Sequence, residues 1–408
     1  MGLPDPAAMR EARLVLDMVE AMDIPSTDLV VELQGRYDKA RGAAARLVNA
    51  EEHEIALVES TSHGLGLVAA ALPLGPGDNV LVCDLEFFPT VLCWKARQEE
   101  MDLEVRAVRT QGGRVTPADF EARMDAHTRA LVISSVQEIN GFRADVAALA
   151  ELAHTQGALL LVDGVQEVGA LAVDVRALGA DVYCCGGHKW LRNPFGMGFM
   201  YVSAALQESL SPGFYGYFNA ADPSGGWGTY LASLQRSPFD HLDIKPGARR
   251  FETGGYGNYV GAAALHVLLE GILAEGIESI ERHVLALGAH LVRSAEELGV
   301  EVRSSQEPGR RSGITTLGLP GGLEQELALN DHLLRNDVFV SVRYTSGVGG
   351  VRVSPHQHNS TADVDRLLHE TKNYLRSCDS VAHHVGLGPG IKRQSESWQH
   401  LTTNQSVV

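Results

Sequence analysis

Cysteine, long apolar runs and positive charge are all in short supply in this 408-residue chain. Each shortage excludes something. The cysteines Cys83, Cys93, Cys184, Cys185 and Cys378 are an odd set of 5 without CxxC spacing. Three of them lie in or beside strand-like runs, so they read as reduced core thiols rather than a disulfide framework or a metal site. No apolar run approaches the roughly 18–20 residues of a membrane span. The opening MGLPDPAAMREARL lacks the charged-then-apolar layout of a secretion signal. Pro6 stands where a myristoylation signal needs Ser or Thr. With 34 Lys and Arg against 51 Asp and Glu, the net charge is −17, which argues against nucleic acid or an anionic membrane as partner. Any anionic ligand must be held by a local, purpose-built site. The remaining composition, 45% hydrophobic and 21% charged, is that of a globular protein, and an enzyme of the cytoplasm is the expectation.

Short apolar runs are present in number, and they alternate with helical stretches. Strands are predicted over Glu54–Glu59, Asn79–Cys83, Leu103–Val108, Ala130–Ser134, Ala158–Val162 and Val182–Cys185. Between them fall a helical Leu67–Leu72, a helix holding Trp94, one opened by Thr116-Pro117, and Val146–Gln156 between Asp145 and Gly157. This alternation builds right-handed crossovers and a mostly parallel sheet. Runs such as Ala158–Val162 are apolar throughout, as strands buried on both faces are. Two helices, Pro6–Met22 and Leu29–Leu47, come first. Ser211–Trp227 and Gly247–Tyr256 read as loops over a site or interface. A helical stretch from Val260 to Leu298 breaks near Gly276, and strands Val300–Arg303, Ile314–Leu317 and Val338–Val342 with helix Asp363–Leu375 form a smaller α/β unit. The expected division is an N-terminal segment (1–24) packing with the small domain, a large domain (25–270), a small domain (271–378) and a disordered polar tail (379–408).

In a parallel sheet, ligands bind beyond the carboxyl ends of the strands. The run ending at Val162 is followed by Asp163, and the run ending at Cys185 by Gly186-Gly187-His188-Lys189. A carboxylate and a lysine thus share one rim. A desolvated lysine forms Schiff bases with carbonyls; a buried carboxylate needs a cation, and a protonated pyridine nitrogen would serve. Thr61 and Ser62, ahead of Gly64 and Gly66, offer hydroxyls and free N–H groups at a helix start, a phosphate cradle. Each residue also has a plain alternative: a surface lysine, a turn-capping aspartate, an N-cap. Together they describe pyridoxal 5′-phosphate better than any other cofactor.

The segments VDGVQEVGALAVDVRALGADVYCCGGHKW, GMGFMYV and VRVSPHQHNSTADVDRL resemble the class V aminotransferase family, closest in pattern to its isopenicillin N epimerase-like members, with the cysteine desulfurases further off. The resemblance runs from about residue 25 to residue 376. It implies an α/β, fold-type I pyridoxal-phosphate enzyme, a homodimer with active sites built at the subunit interface. By position, Lys189 would hold the cofactor and shuttle the proton, Asp163 would pair with the ring nitrogen, and Gln166 would bond the phenolic oxygen. His188, Thr61 and Ser62 would bind phosphate, and Phe87 would stack on the ring. Arg352 would hold the substrate α-carboxylate, with Arg343 as a second anion binder. Several residues depart from the pattern. SVRYTSGVGGVRVSPH lacks the loop cysteine of the desulfurases, Gly186 replaces a phosphate-binding hydroxyl, and Glu138 occupies a usually neutral or aromatic position. ETGGYGNY alters the loop that reaches the neighbouring subunit's phosphate, where Tyr256 or Asn258 would substitute. The implied function is chemistry at Cα or Cβ of an α-amino acid or an amino-acid-derived conjugate in specialised biosynthesis, with transamination, epimerisation, β-elimination and decarboxylation all open. A catalytically silent scaffold is the alternative, and desulfuration is disfavoured. No metal site is expected.

Overall fold

A computed structural model describes residues 2–22 and 27–385 of the chain. The large sheet has seven strands: β1 (Ile55–Val58), β2 (Asn79–Cys83), β3 (Glu104–Val108), β4 (Thr128–Ser134), β5 (Leu159–Asp163), β6 (Val182–Gly186) and β7 (Gly198–Val202). Their order is β1-β7-β6-β5-β4-β2-β3. β3, β2, β4, β5 and β6 pair in parallel, and β7 runs antiparallel to both its neighbours. All six strands expected in this half are present. β7 lies in GMGFMYV, where the preceding glycines and prolines obscured a strand.

The apolar runs are explained by burial on both faces. Because successive side chains alternate, Leu131, Ile133, Val162 and Tyr183 enter one core, while Ala130, Val132, Leu161 and Val182 enter the other. In register, Ser134 pairs with Asp163 and Asp163 with Cys184. The carboxyl ends of β4, β5 and β6 therefore open onto one rim.

The second sheet holds β8 (Glu301–Val302), β9 (Thr315–Gly318), β10 (Ser341–Thr345) and β11 (Val348–Val353). It is antiparallel in the order β10-β11-β9-β8. Leu291, Leu317, Leu333, Val351 and Leu367 pack it against helices Ile277–Glu297, Gly322–Arg335 and Thr361–Val385. Here the expected Val338–Val342 strand begins later, at Ser341, and β11 went unassigned. The cause is a two-residue hairpin turn, Ser346-Gly347, with φ of 50° and 79°, the primed geometry that matches strand twist.

One further expectation holds and two are corrected. The stretch from Val260 breaks at Gly276 (φ 85°) into helices Tyr259–Glu275 and Ile277–Glu297, bent by 81°. The last helix continues beyond Leu375 to Val385, so residues 379–385 are helical, and the rest of the expected tail lies outside the described residues. Helix Pro6–Glu20 packs Ala8 and Ala12 on Ala264 and Leu268, and Val15 on Leu33 and Ala263. The N-terminal segment thus packs on the large unit rather than the small one. Among the described residues no single helix is long and apolar enough to cross a membrane.

Candidate active site

Asp163 ends β5 and is buried. Its Oδ1 accepts from the Val165 N–H at 2.9 Å and its Oδ2 from the Thr90 hydroxyl at 3.4 Å. Burial raises its pKa and Lys189 opposes the rise. Such a carboxylate is under-compensated by its own chain and suits an added cation. Lys189 follows β6 by three residues and is partly buried. Burial lowers its pKa and Arg352 pushes the same way, while Asp163 and Glu138 act against them. Its ammonium lies 5.9 Å from the centre of the Phe87 ring. Phe87 is 43% exposed, so it faces the lysine and is not packed in the core. Gln166 is buried and accepts from the Trp190 indole at 3.3 Å, which leaves its amide N–H groups to donate.

At the other end of the rim, helix Thr61–Ala71 begins under β6. Its N-cap is Ser60, whose hydroxyl accepts from the His63 N–H at 3.1 Å. Thr61 and Ser62 therefore lie inside the first turn, with N–H groups that have no partner among the described residues. The Thr61 hydroxyl accepts from the Gly186 N–H at 2.9 Å. A β-carbon at Gly186 would stand 3.1 Å from His188 Nδ1 and 3.2 Å from Thr61 Oγ1. The glycine thus keeps clear the hollow between these two groups. Ser62 is exposed and contributes its backbone.

The small domain closes the third side. Arg352 on β11 donates through Nη1 to the Glu138 carbonyl at 3.1 Å and to its carboxylate at 3.2 Å. Its Nε is buried without a partner. Burial lowers the pKa of Arg352, opposed by Glu138 and aided by Arg343. Arg343 on β10 is exposed and bonds the Val342 carbonyl.

Lys189, Asp163, Phe87, Gln166, Glu138 and Arg352 are brought together, and Thr61, Ser62 and His188 lie together around Gly186 at the start of helix Thr61–Ala71. Tyr256 and Asn258 do not join them within one chain. Asn258 caps helix Tyr259–Glu275 through the Gly261 N–H and donates to the Gly196 carbonyl, while Tyr256 is exposed and packs edge-on to Phe218.

Three contributors were missed. Thr90 supports Asp163. His356 stacks on Trp190, with centroids 5.0 Å apart. Glu86 is buried, accepts from the Ser134 N–H at 2.8 Å and the Gln137 amide at 2.8 Å, and has its pKa pushed up to about 7 by burial. A signal existed for Glu86: a lone acid between Leu85 and Phe87 at a strand end is costly unless it is held.

The family model for aminotransferase class-V matches residues 24–367. A probable cysteine desulfurase of Methanothermobacter thermautotrophicus is 29% identical over 367 residues, covering 84% of each chain. The isopenicillin N epimerase of Streptomyces clavuligerus is 26% identical, covering 84% of this chain and 85% of the epimerase. A solved C-DES variant with glycine covalently linked to its pyridoxal-phosphate cofactor superposes with a TM-score of 0.81 at 17% identity, covering 91% of this chain and 94% of that one. The under-compensated Asp163, the desolvated Lys189 and the open hollow at Gly186 fit that cofactor's nitrogen, aldehyde and phosphate. The chain belongs to the aminotransferase class-V family of pyridoxal 5′-phosphate enzymes.

Proposed function

We propose that the chain labilises one substituent at the α-carbon of an α-amino acid or an amino-acid-derived conjugate. The observation that carries this reading is the convergence of Asp163, Lys189 and Arg352 on one rim from β5, the loop after β6, and β11. When bound, pyridoxal 5′-phosphate supplies an aldehyde that captures an amine and a ring that withdraws electrons from the adjacent carbon. Asp163 would pair with the cofactor's ring nitrogen, and Phe87, beside Lys189, would supply an aromatic contact. The first-turn N–H groups of Thr61 and Ser62, with the Thr61 hydroxyl and His188, would hold the phosphate. Arg352 presents its unpaired Nε edge to the substrate α-carboxylate. Lys189, with its lowered pKa, takes and returns the proton at the α-carbon.

Desulfuration is disfavoured. The segment before Arg352 is a tight hairpin without cysteine, and burial raises the pKa of Cys83, Cys93, Cys184 and Cys185. A homodimer is part of the proposal, supported by the exposed aromatics Phe88, Phe214, Tyr215, Tyr217 and Tyr256. The test is the visible spectrum of the wild type and of Lys189→Ala, followed by product identification on a panel of amino acids and S-conjugates. A cofactor band that requires Lys189, with turnover, is expected. A wild type with no such band would remove the reading, and a band without turnover on any panel member would favour a silent scaffold.

A further inference from the structure

We propose that Glu138 is a charge filter. It makes the site select substrates whose side chain ends in a neutral or cationic group and reject those carrying a second carboxylate. The inference deepens the proposed function and rests on it. Glu138 is partly buried in the loop after β4, and its carboxylate and carbonyl together occupy Nη1 of Arg352. The guanidinium keeps one free edge, since its Nε is buried and unpartnered. A substrate α-carboxylate can therefore bind side-on at the Nε edge without displacing Glu138.

A second carboxylate meets a different environment. Glu138 acts electrostatically on Lys189, Arg352 and Asp163 alike, so its negative charge stands within the short span that the substrate must cross. The edge of Arg352 that could serve another anion is already taken. Arg343 is exposed, with its head on the Val342 carbonyl. A cationic or neutral end is tolerated there, and an anionic one is repelled in a site where charges are poorly screened.

The test uses three carboxylates of similar length that cannot react with the cofactor: 4-(trimethylammonio)butanoate, 5,5-dimethylhexanoate and glutarate. Their dissociation constants are measured by calorimetry on the cofactor-loaded wild type, Glu138→Gln, Glu138→Asp and Arg352→Ala. The wild type should bind glutarate at least about tenfold more weakly than either other probe, as a nearby like charge dictates. Glu138→Gln keeps an acceptor for Arg352 and should narrow the gap to about threefold or less, while Glu138→Asp should keep the wild-type order. Equal binding of glutarate by the wild type, or an unchanged order in Glu138→Gln, would overturn the filter. If Arg352→Ala binds all three as well as the wild type, the carboxylate clamp fails, and the filter with it.

Discussion

Arg352 Nη1 reaches both the carbonyl and the carboxylate of Glu138, at 3.1 and 3.2 Å, across 214 residues of sequence. One partner rides on β11 of the small domain and the other on the loop leaving β4 of the large sheet. The pair is the polar seam between the two units at the rim where Lys189 sits. Each member compensates a charge that the other's burial would leave exposed to a low dielectric.

Arg352→Ala should lower kcat/KM by about 30- to 5,000-fold, the equivalent of roughly 2–5 kcal/mol for a truncated charge-assisted pair. It should also destabilise the fold, because Glu138 is left partly buried without its cation. Adding Glu138→Gln should recover stability but not activity. Denaturant midpoints and steady-state kinetics on the single and double variants check this, and additive stabilities would contradict the coupling.

Asp163→Asn separates the needs of the cofactor from those of the fold. The buried carboxylate has a raised pKa in the chain alone, so a neutral amide should leave the thermal midpoint of the cofactor-free protein unchanged or higher. Turnover should fall by about 150- to 5,000-fold, since the ring nitrogen loses a buried ionic partner worth roughly 3–5 kcal/mol. A variant that melts much earlier without cofactor would show that Asp163 is chiefly structural.

Glu86 gives a pH dependence with a definite sign. Folded, its carboxyl holds the proton up to about 7, against an ordinary value of 4.5. Between those values the native state binds more protons than the unfolded one. This contribution is complete below about 4.5, declines as pH rises, and is gone above about 7, a loss of about 3 kcal/mol. Glu86→Gln removes the slope. Urea unfolding at pH 5 and pH 8 should show the wild type losing more stability than the variant; parallel losses would contradict it.

Thiol chemistry offers a separate check. Burial pushes the pKa of Cys93 up to about 11 and raises those of Cys83, Cys184 and Cys185 as well. Thiols held in this form are poor nucleophiles. Iodoacetamide applied to the native protein at pH 7.5 should leave turnover within about twofold of the untreated enzyme. Inactivation that tracks alkylation of one cysteine would reopen persulfide chemistry.

Much of the site was legible because its residues sit at strand ends. Asp163 and Lys189 follow apolar runs that can only be central strands, and parallel pairing delivers consecutive strand ends to one rim. Thr61 and Ser62 were expected at a helix start and stand there, although the cap proved to be Ser60. β11 was hidden because VGGVRV carries two glycines, and its strand character comes from the hairpin with β10 rather than from its own composition. The helix packing of the N-terminal segment was likewise a matter of which apolar surface lay nearest, which amphipathic periodicity does not specify.

Local pattern and chemistry thus determined the cofactor class and the large parallel sheet, because period, turn residues and buried charges are properties of short segments. Tertiary structure decided which distant residues meet: Glu138 with Arg352, Glu86 with Ser134 and Gln137, Phe87 with Lys189. Those contacts join segments up to 214 residues apart, and their geometry depends on how two domains pack, which no local pattern encodes.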